Sequence, residues 1–122
     1  MKKTMLIVED DKDIQDYYSI IFSDSQIEII RAENGQEAMS VINSSRKIDI
    51  ILLDMIMPTM DGEEFFRKLR LEKKSKIPVI PCSVDDTLIK RLEQIDKIDI
   101  YFSKFTKADT LKTKVKSVLG IF

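Results

Sequence analysis

The 122-residue chain is 43% hydrophobic and 34% charged with only three glycines and three prolines, the profile of one compact globular domain spanning residues 1–122. Twenty basic residues nearly balance twenty-one acidic ones, so no net field draws the molecule to nucleic acid or to an anionic membrane. Histidine is absent and cysteine occurs once, which excludes Ser-His-Asp and Cys-His catalysis, histidine-based zinc sites and an internal disulfide framework.

At the start, Lys2 and Lys3 precede an apolar run, Met5 to Val8, that is too short for a signal peptide or a membrane span. A cytoplasmic location is expected. That run has strand length, and Ile14, Tyr17, Tyr18 and Ile21 then fall at i, i+3, i+4, i+7 on one face of a helix. Ile27, Ile29 and Ile30 predict a second strand. Asn34-Gly35 opens a helix with Ala38, Val41 and Ile42 on its inner face. Ile48 to Leu53, apolar apart from Asp49, reads as a buried central strand. Asp61 to Glu64 has capping-box spacing before Phe65, Phe66 and Leu69. Ile77 to Cys82 is the predicted fourth strand, and Leu88, Ile89, Leu92 and Ile95 mark the fourth helix. Ile98 to Phe102 is the predicted fifth strand. Ala108, Leu111, Val115, Val118 and Leu119 mark a last helix, whose lysines 107, 112, 114 and 116 form a solvated face. Strict alternation of five strands with five helices requires a parallel sheet covered on both faces, a doubly wound α/β domain.

Ligands of such sheets bind beyond the carboxyl ends of the strands. The first strand ends in Glu9-Asp10-Asp11, the third in Asp54, the fourth in Cys82-Ser83 and the fifth in Ser103-Lys104. Clustered carboxylates repel, so they take up protons or bind a cation, and hard oxygen ligands favour Mg2+. A carboxylate beside such a metal can act as a phosphoryl acceptor, with the lysine and hydroxyl offsetting charge on the transferred group. Asp11 reads as a helix N-cap and Cys82 as a small packing residue.

The motifs LIVEDD at 6–11, IILLDMIMPTMDG at 50–62, IPVIPCS at 77–83 and YFSKF at 101–105 together resemble the response-regulator receiver family of two-component signalling, over essentially the whole chain. The resemblance implies a flavodoxin-like (βα)5 fold with strand order 2-1-3-4-5. It implies Asp54 as phospho-acceptor and Mg2+ held by Asp10, Glu9, Asp54 and the backbone carbonyl of Ile56. Ser83 would be the switch hydroxyl, Lys104 the lysine that pairs with the phosphoryl group, and Tyr101 the aromatic that follows the hydroxyl. The implied partners are a histidine kinase or histidine phosphotransfer protein and a downstream protein on the face of the fourth helix, fifth strand and fifth helix, with no direct nucleic-acid or membrane contact.

The sequence departs from the family pattern in three places. Phe105 follows Lys104 where proline is usual; a cis bond there would cost roughly 3 kcal/mol for a non-proline residue, so a trans bond and a rearranged loop are expected. The resting position of Lys104 is therefore the point to check. Ile56 and Asp85, which flank the path of an attacking water, predict slow loss of the phosphoryl group. In the segment from Val84 to Lys97, Ile95-Asp96-Lys97-Ile98 replaces the usual small residues and predicts an irregular or shifted fourth helix. Aspartyl-phosphate enzymes typically carry a second aspartate two residues after the nucleophile; Ile56 occupies that position, which argues for a switch rather than a turnover enzyme. A docking module that no longer accepts phosphate, and the receiver portion of a longer regulator, are the alternatives.

Overall fold

The computed structural model describes residues 2–57, 59–83, 85–104 and 106–121. Four parallel strands, β1 (Lys3–Val8), β2 (Ile27–Ala32), β3 (Ile50–Asp54) and β4 (Val79–Cys82), lie in the order β2-β1-β3-β4. Five helices join and follow them: α1 (Lys12–Ile21), α2 (Gly35–Asn43), α3 (Gly62–Arg67), α4 (Asp86–Glu93) and α5 (Ala108–Leu119). Alternate strand side chains point to opposite faces and build two cores. Leu6, Val8, Ile51, Leu53 and Val79 pack with Phe65, Phe66, Leu69, Ile89 and Leu92 of α3 and α4. Met5, Ile7, Ile50, Leu52 and Ile80 pack with Tyr18, Phe22, Leu111, Val115 and Leu119 beside α1 and α5. The fold is the expected flavodoxin-like doubly wound α/β sandwich. No helix among the described residues is long and apolar enough to cross a membrane.

Local chemistry explains the helix starts. Asp11, Asn34, Asp61 and Asp85 each accept a backbone N–H from the first turn of α1, α2, α3 and α4, which satisfies otherwise orphaned donors. Asp49, the polar interruption before β3, is accounted for as well: its carboxylate accepts from the Thr4 N–H (2.8 Å) and its own N–H donates to the Thr4 carbonyl (2.9 Å).

Three expectations need correction. The predicted fifth strand over 98–102 is reduced to one bridge, in which the Phe102 N–H donates to the Pro81 carbonyl (2.9 Å) and the Phe102 carbonyl accepts from the Ser83 N–H (3.0 Å). The next rung in that register needs a donor from residue 81, and proline has none. A solvent-open cleft of about 370 Å³ lies along this part of the β4 edge, lined by Val79, Ile80 and Ile100 together with charged residues that include Arg70, Lys76 and Asp99. Second, the inner face of α1 is Gln15, Tyr18 and, at its cap, Phe22; Tyr17 is exposed and Ile14 and Ile21 are half-buried. Third, α3 gives way after Arg67 to a π-type turn over Lys68–Glu72, closed by an i→i+5 bond from the Lys73 N–H to the Lys68 carbonyl (3.0 Å).

The fourth helix is short. Ion pairs tether it to its neighbours, Arg91 to Glu63 (2.6 Å) and, just beyond its end, Arg70 to Asp96 (2.7 Å).

Candidate functional site

Parallel pairing fixes the heights of the strand ends. Val8 pairs with Leu53, so Glu9 and Asp54, each the next residue, end neighbouring strands at the same level; Asp54 in turn pairs with Cys82, one residue before Ser83. The carboxylates of Glu9, Asp10 and Asp54 each offer an oxygen within 4.8 Å of the others. Asp54 is 3% exposed and Glu9 1%, whereas Asp10 faces solvent.

Lys104 reaches into this group from the segment after Phe102. Its Nζ lies 3.0 Å from Asp54 Oδ1 and 3.3 Å from Glu9 Oε1, so the resting lysine is beside Asp54. Asp54 Oδ1 also accepts from the Ile56 N–H (3.3 Å), and Glu9 Oε2 accepts from the Asp11 N–H (3.2 Å). Asp54 Oδ2 is buried with no hydrogen-bond partner among the described residues.

Three carboxylates against one ammonium leave the pocket short of positive charge. Burial first, and then the neighbouring Asp54 carboxylate, push the Glu9 carboxyl up to about 8. Burial alone would lower the Lys104 ammonium, but the Asp54 and Glu9 carboxylates hold it above its ordinary value. The all-oxygen donor set, the orphaned Asp54 Oδ2 and the charge deficit fit a hard divalent cation, as the resemblance implied for Mg2+.

Beyond this centre, Ser83 is buried at the end of β4, where its hydroxyl accepts from the Asp85 N–H (3.0 Å) and donates to the Asp85 carbonyl (3.2 Å). Tyr101, the residue before the bridge at Phe102, is 50% exposed, and Ile56 is 63% exposed just past Asp54. Phe105, the Lys104–Phe105 bond, Pro58 and Val84 lie outside the described residues.

The loop after Asp54 is tightly held. The Gly62 N–H donates to the Met55 carbonyl (3.2 Å), and a Cβ on Gly62 would stand 2.7 Å from the Asp54 carbonyl oxygen. Thr59 adopts a left-handed backbone (φ 70°), and the Gly35 N–H at the start of α2 donates to the Met60 carbonyl (3.1 Å).

Sequence reasoning passed over Gln15, a buried polar side chain that reaches the same strand ends. The signal was present: positions 15, 18 and 22 have helical spacing, with a glutamine in an otherwise aromatic stripe.

The chain matches the family profile described as "Response regulator receiver domain" over residues 5–116. Among curated proteins it is 34% identical over 121 residues to the phosphate regulon transcriptional regulatory protein PhoB of Pseudomonas aeruginosa, covering 96% of this chain and 52% of that protein. It is 30% identical over 93 residues to the uncharacterized transcriptional regulatory protein YrkP of Bacillus subtilis, covering 76% of this chain and 38% of that protein. The chain thus spans about half or less of these relatives. Among solved structures it resembles the receiver domain of the Francisella response regulator 1452, with TM-score 0.84, 28% identity and 98% of each chain covered.

Proposed function

The chain belongs to the response regulator receiver family, and on that premise we propose that it is a phosphorylation-driven switch with Asp54 as the acceptor. The donor is a phosphohistidine on a histidine kinase or phosphotransfer protein, since this chain has no histidine of its own. An Asp54 carboxylate oxygen forms the new O–P bond as the donor's P–N bond breaks and the imidazole leaves with the electron pair. Glu9, Asp10, Asp54 and the Ile56 carbonyl would hold Mg2+. When bound, the metal offsets charge on the phosphoryl oxygens.

The observation that carries this reading is the convergence of two further carboxylates, Glu9 and Asp10, and the Lys104 ammonium on Asp54, whose buried Oδ2 has no hydrogen-bond partner among the described residues. Lys104 Nζ, now on Asp54 Oδ1, turns to a phosphoryl oxygen once that carboxylate becomes an acyl phosphate. Ser83 exchanges its bonds to Asp85 for the phosphoryl group, and Tyr101 follows. These moves shift a two-state equilibrium read by a protein partner at α4, the 98–102 segment and α5.

Incubation with Mg2+ and a small phosphodonor is expected to add one phosphate-sized mass that Asp54→Asn abolishes. No gain favours a phosphorylation-independent docking module, and continuous phosphate release favours an enzyme. With the apolar Ile56 side chain unable to orient an attacking water, the phosphoryl group decays slowly; a lifetime of seconds would sink that part of the reading.

A further inference from the structure

Gln15 is 2% exposed in the first turn of α1, yet its side chain is spent on the backbone rather than on packing. Its Nε2 donates to the carbonyls of Ile7 (3.1 Å), Glu9 (3.1 Å) and Ala32 (2.8 Å), at the carboxyl ends of β1 and β2. Its backbone N–H donates to the Asp11 carbonyl (2.9 Å). One residue therefore holds both neighbours of Asp10, residue 9 through its side chain and residue 11 through its main chain.

The same amide leaves its Oε1 buried without a partner among the described residues. A buried orphan acceptor is costly, and an apolar side chain of equal length would fill the space without one. The side chain's hydrogen bonds are all made by the nitrogen, so the nitrogen is the part of the amide that acts here. What the nitrogen fixes is the turn from which Glu9 and Asp10 project toward Asp54. The Glu9 main chain is held between the Ala32 carbonyl, to which its N–H donates (3.0 Å), and Gln15 Nε2 on its own carbonyl.

We infer that Gln15 is a positioning residue for the acidic pair, setting the Glu9–Asp11 turn so that both carboxylates converge with Asp54 on a divalent cation. This rests on the metal-binding reading above. Gln15 touches neither metal nor phosphoryl group; it acts through the carbonyl of Glu9, as outer partners of metal ligands do.

The test compares Gln15→Met, which keeps the length and removes the donor, with Val115→Ala, which loosens the core under α5 far from the strand ends. Mg2+ titration by calorimetry is expected to show about 10-fold or greater weakening for Gln15→Met. Val115→Ala is expected to bind within about twofold of wild type at a comparable loss of thermal stability, since an independent site leaves binding unchanged. Gln15→Met binding like wild type, or Val115→Ala weakened as much, overturns the inference.

Amide exchange in the metal-free protein gives a reading that does not pass through the metal. The Asp11 amide, bonded to Glu9 Oε2, is expected to exchange about 10-fold faster in Gln15→Met, the loss of roughly one hydrogen bond, with the Leu111 amide unchanged. Equal acceleration of both amides overturns the inference. Wild type that binds no Mg2+ overturns the metal reading instead and leaves the exchange result to decide Gln15. If Gln15→Met does not fold, Gln15→Asn, which draws the same amide back by one methylene, takes its place.

Discussion

Raising the pH of the metal-free protein from 5.5 to 7.5 is expected to destabilise it, and Glu9 is the cause. The carboxyl titrates near 4.5 when free and is pushed up to about 8 in the fold, by burial and then by the Asp54 carboxylate. Between those values the native state holds a proton that the unfolded chain has released, so stability is full below pH 4.5 and is lost as the pH rises through 8. The limiting slope is about 1.4 kcal/mol per pH unit, so two units remove on the order of 2–3 kcal/mol, a large share of a small domain's stability. Few other groups intrude on this window. Histidine is absent, and Cys82 is pushed up to about 12 by burial. Asp24, Asp85 and Asp96 are held below the usual carboxylate range by hydrogen bonds from Gln26, Thr87 and Lys97. Urea unfolding in EDTA at several pH values measures the effect. Glu9→Gln should flatten the profile, and Mg2+, which requires the ionised carboxylate, should recover stability at the upper end. A wild-type profile that rises over this interval, or a Glu9→Gln profile with the same fall, refutes the reasoning.

Lys104→Met leaves Asp54 and Glu9 without their cation; it should cost about 1–3 kcal/mol in denaturant unfolding and move the pH-dependent loss further upward. Gly62→Ala forces a Cβ against the Asp54 carbonyl oxygen and the Met55 Cα, and should cost about 1–3 kcal/mol while slowing phosphoryl acceptance from a small donor. Phe66→Ala empties a fully buried position beneath α3 and should cost about 3–5 kcal/mol by thermal or chemical unfolding. Pro81→Val supplies the missing donor for a second rung to the 98–102 segment. The gain of about 1 kcal/mol is offset by the greater freedom of the unfolded chain, so amide protection at positions 81 and 98–100 is the measure, and unchanged exchange there counts against the explanation.

Much of the site was legible because each apolar run stops where chemistry begins. Val8 gives way to Glu9 and Leu53 to Asp54, and parallel pairing sets those two ends level. Lys104 could be placed because it follows a run that reaches the sheet, even though the run pairs only at Phe102. The fifth strand was misjudged because Ile98 to Phe102 has strand composition, whereas pairing depends equally on the partner, and Pro81 withholds a donor. The inner face of α1 was set about one residue off because Tyr17 looks as apolar as Phe22 in a window of helical period. Gln15 stayed invisible because its three acceptors come from two strands and meet only in the folded chain. The π-type turn after Arg67 left no sequence mark beyond a run of good helix formers.

The single rung at Phe102 also says where the chain can be interrupted. Lys97 to Tyr101 contribute no strand ladder; Ile98 and Ile100 rest against the two cores, and Asp99 between them lines a solvent-open cleft. A reporter domain spliced in around Asp99 would break few hydrogen bonds and would sit one short segment away from Tyr101 and Lys104. Any movement of that segment would reach the insert directly, making this the natural place to build an optical readout of the switch.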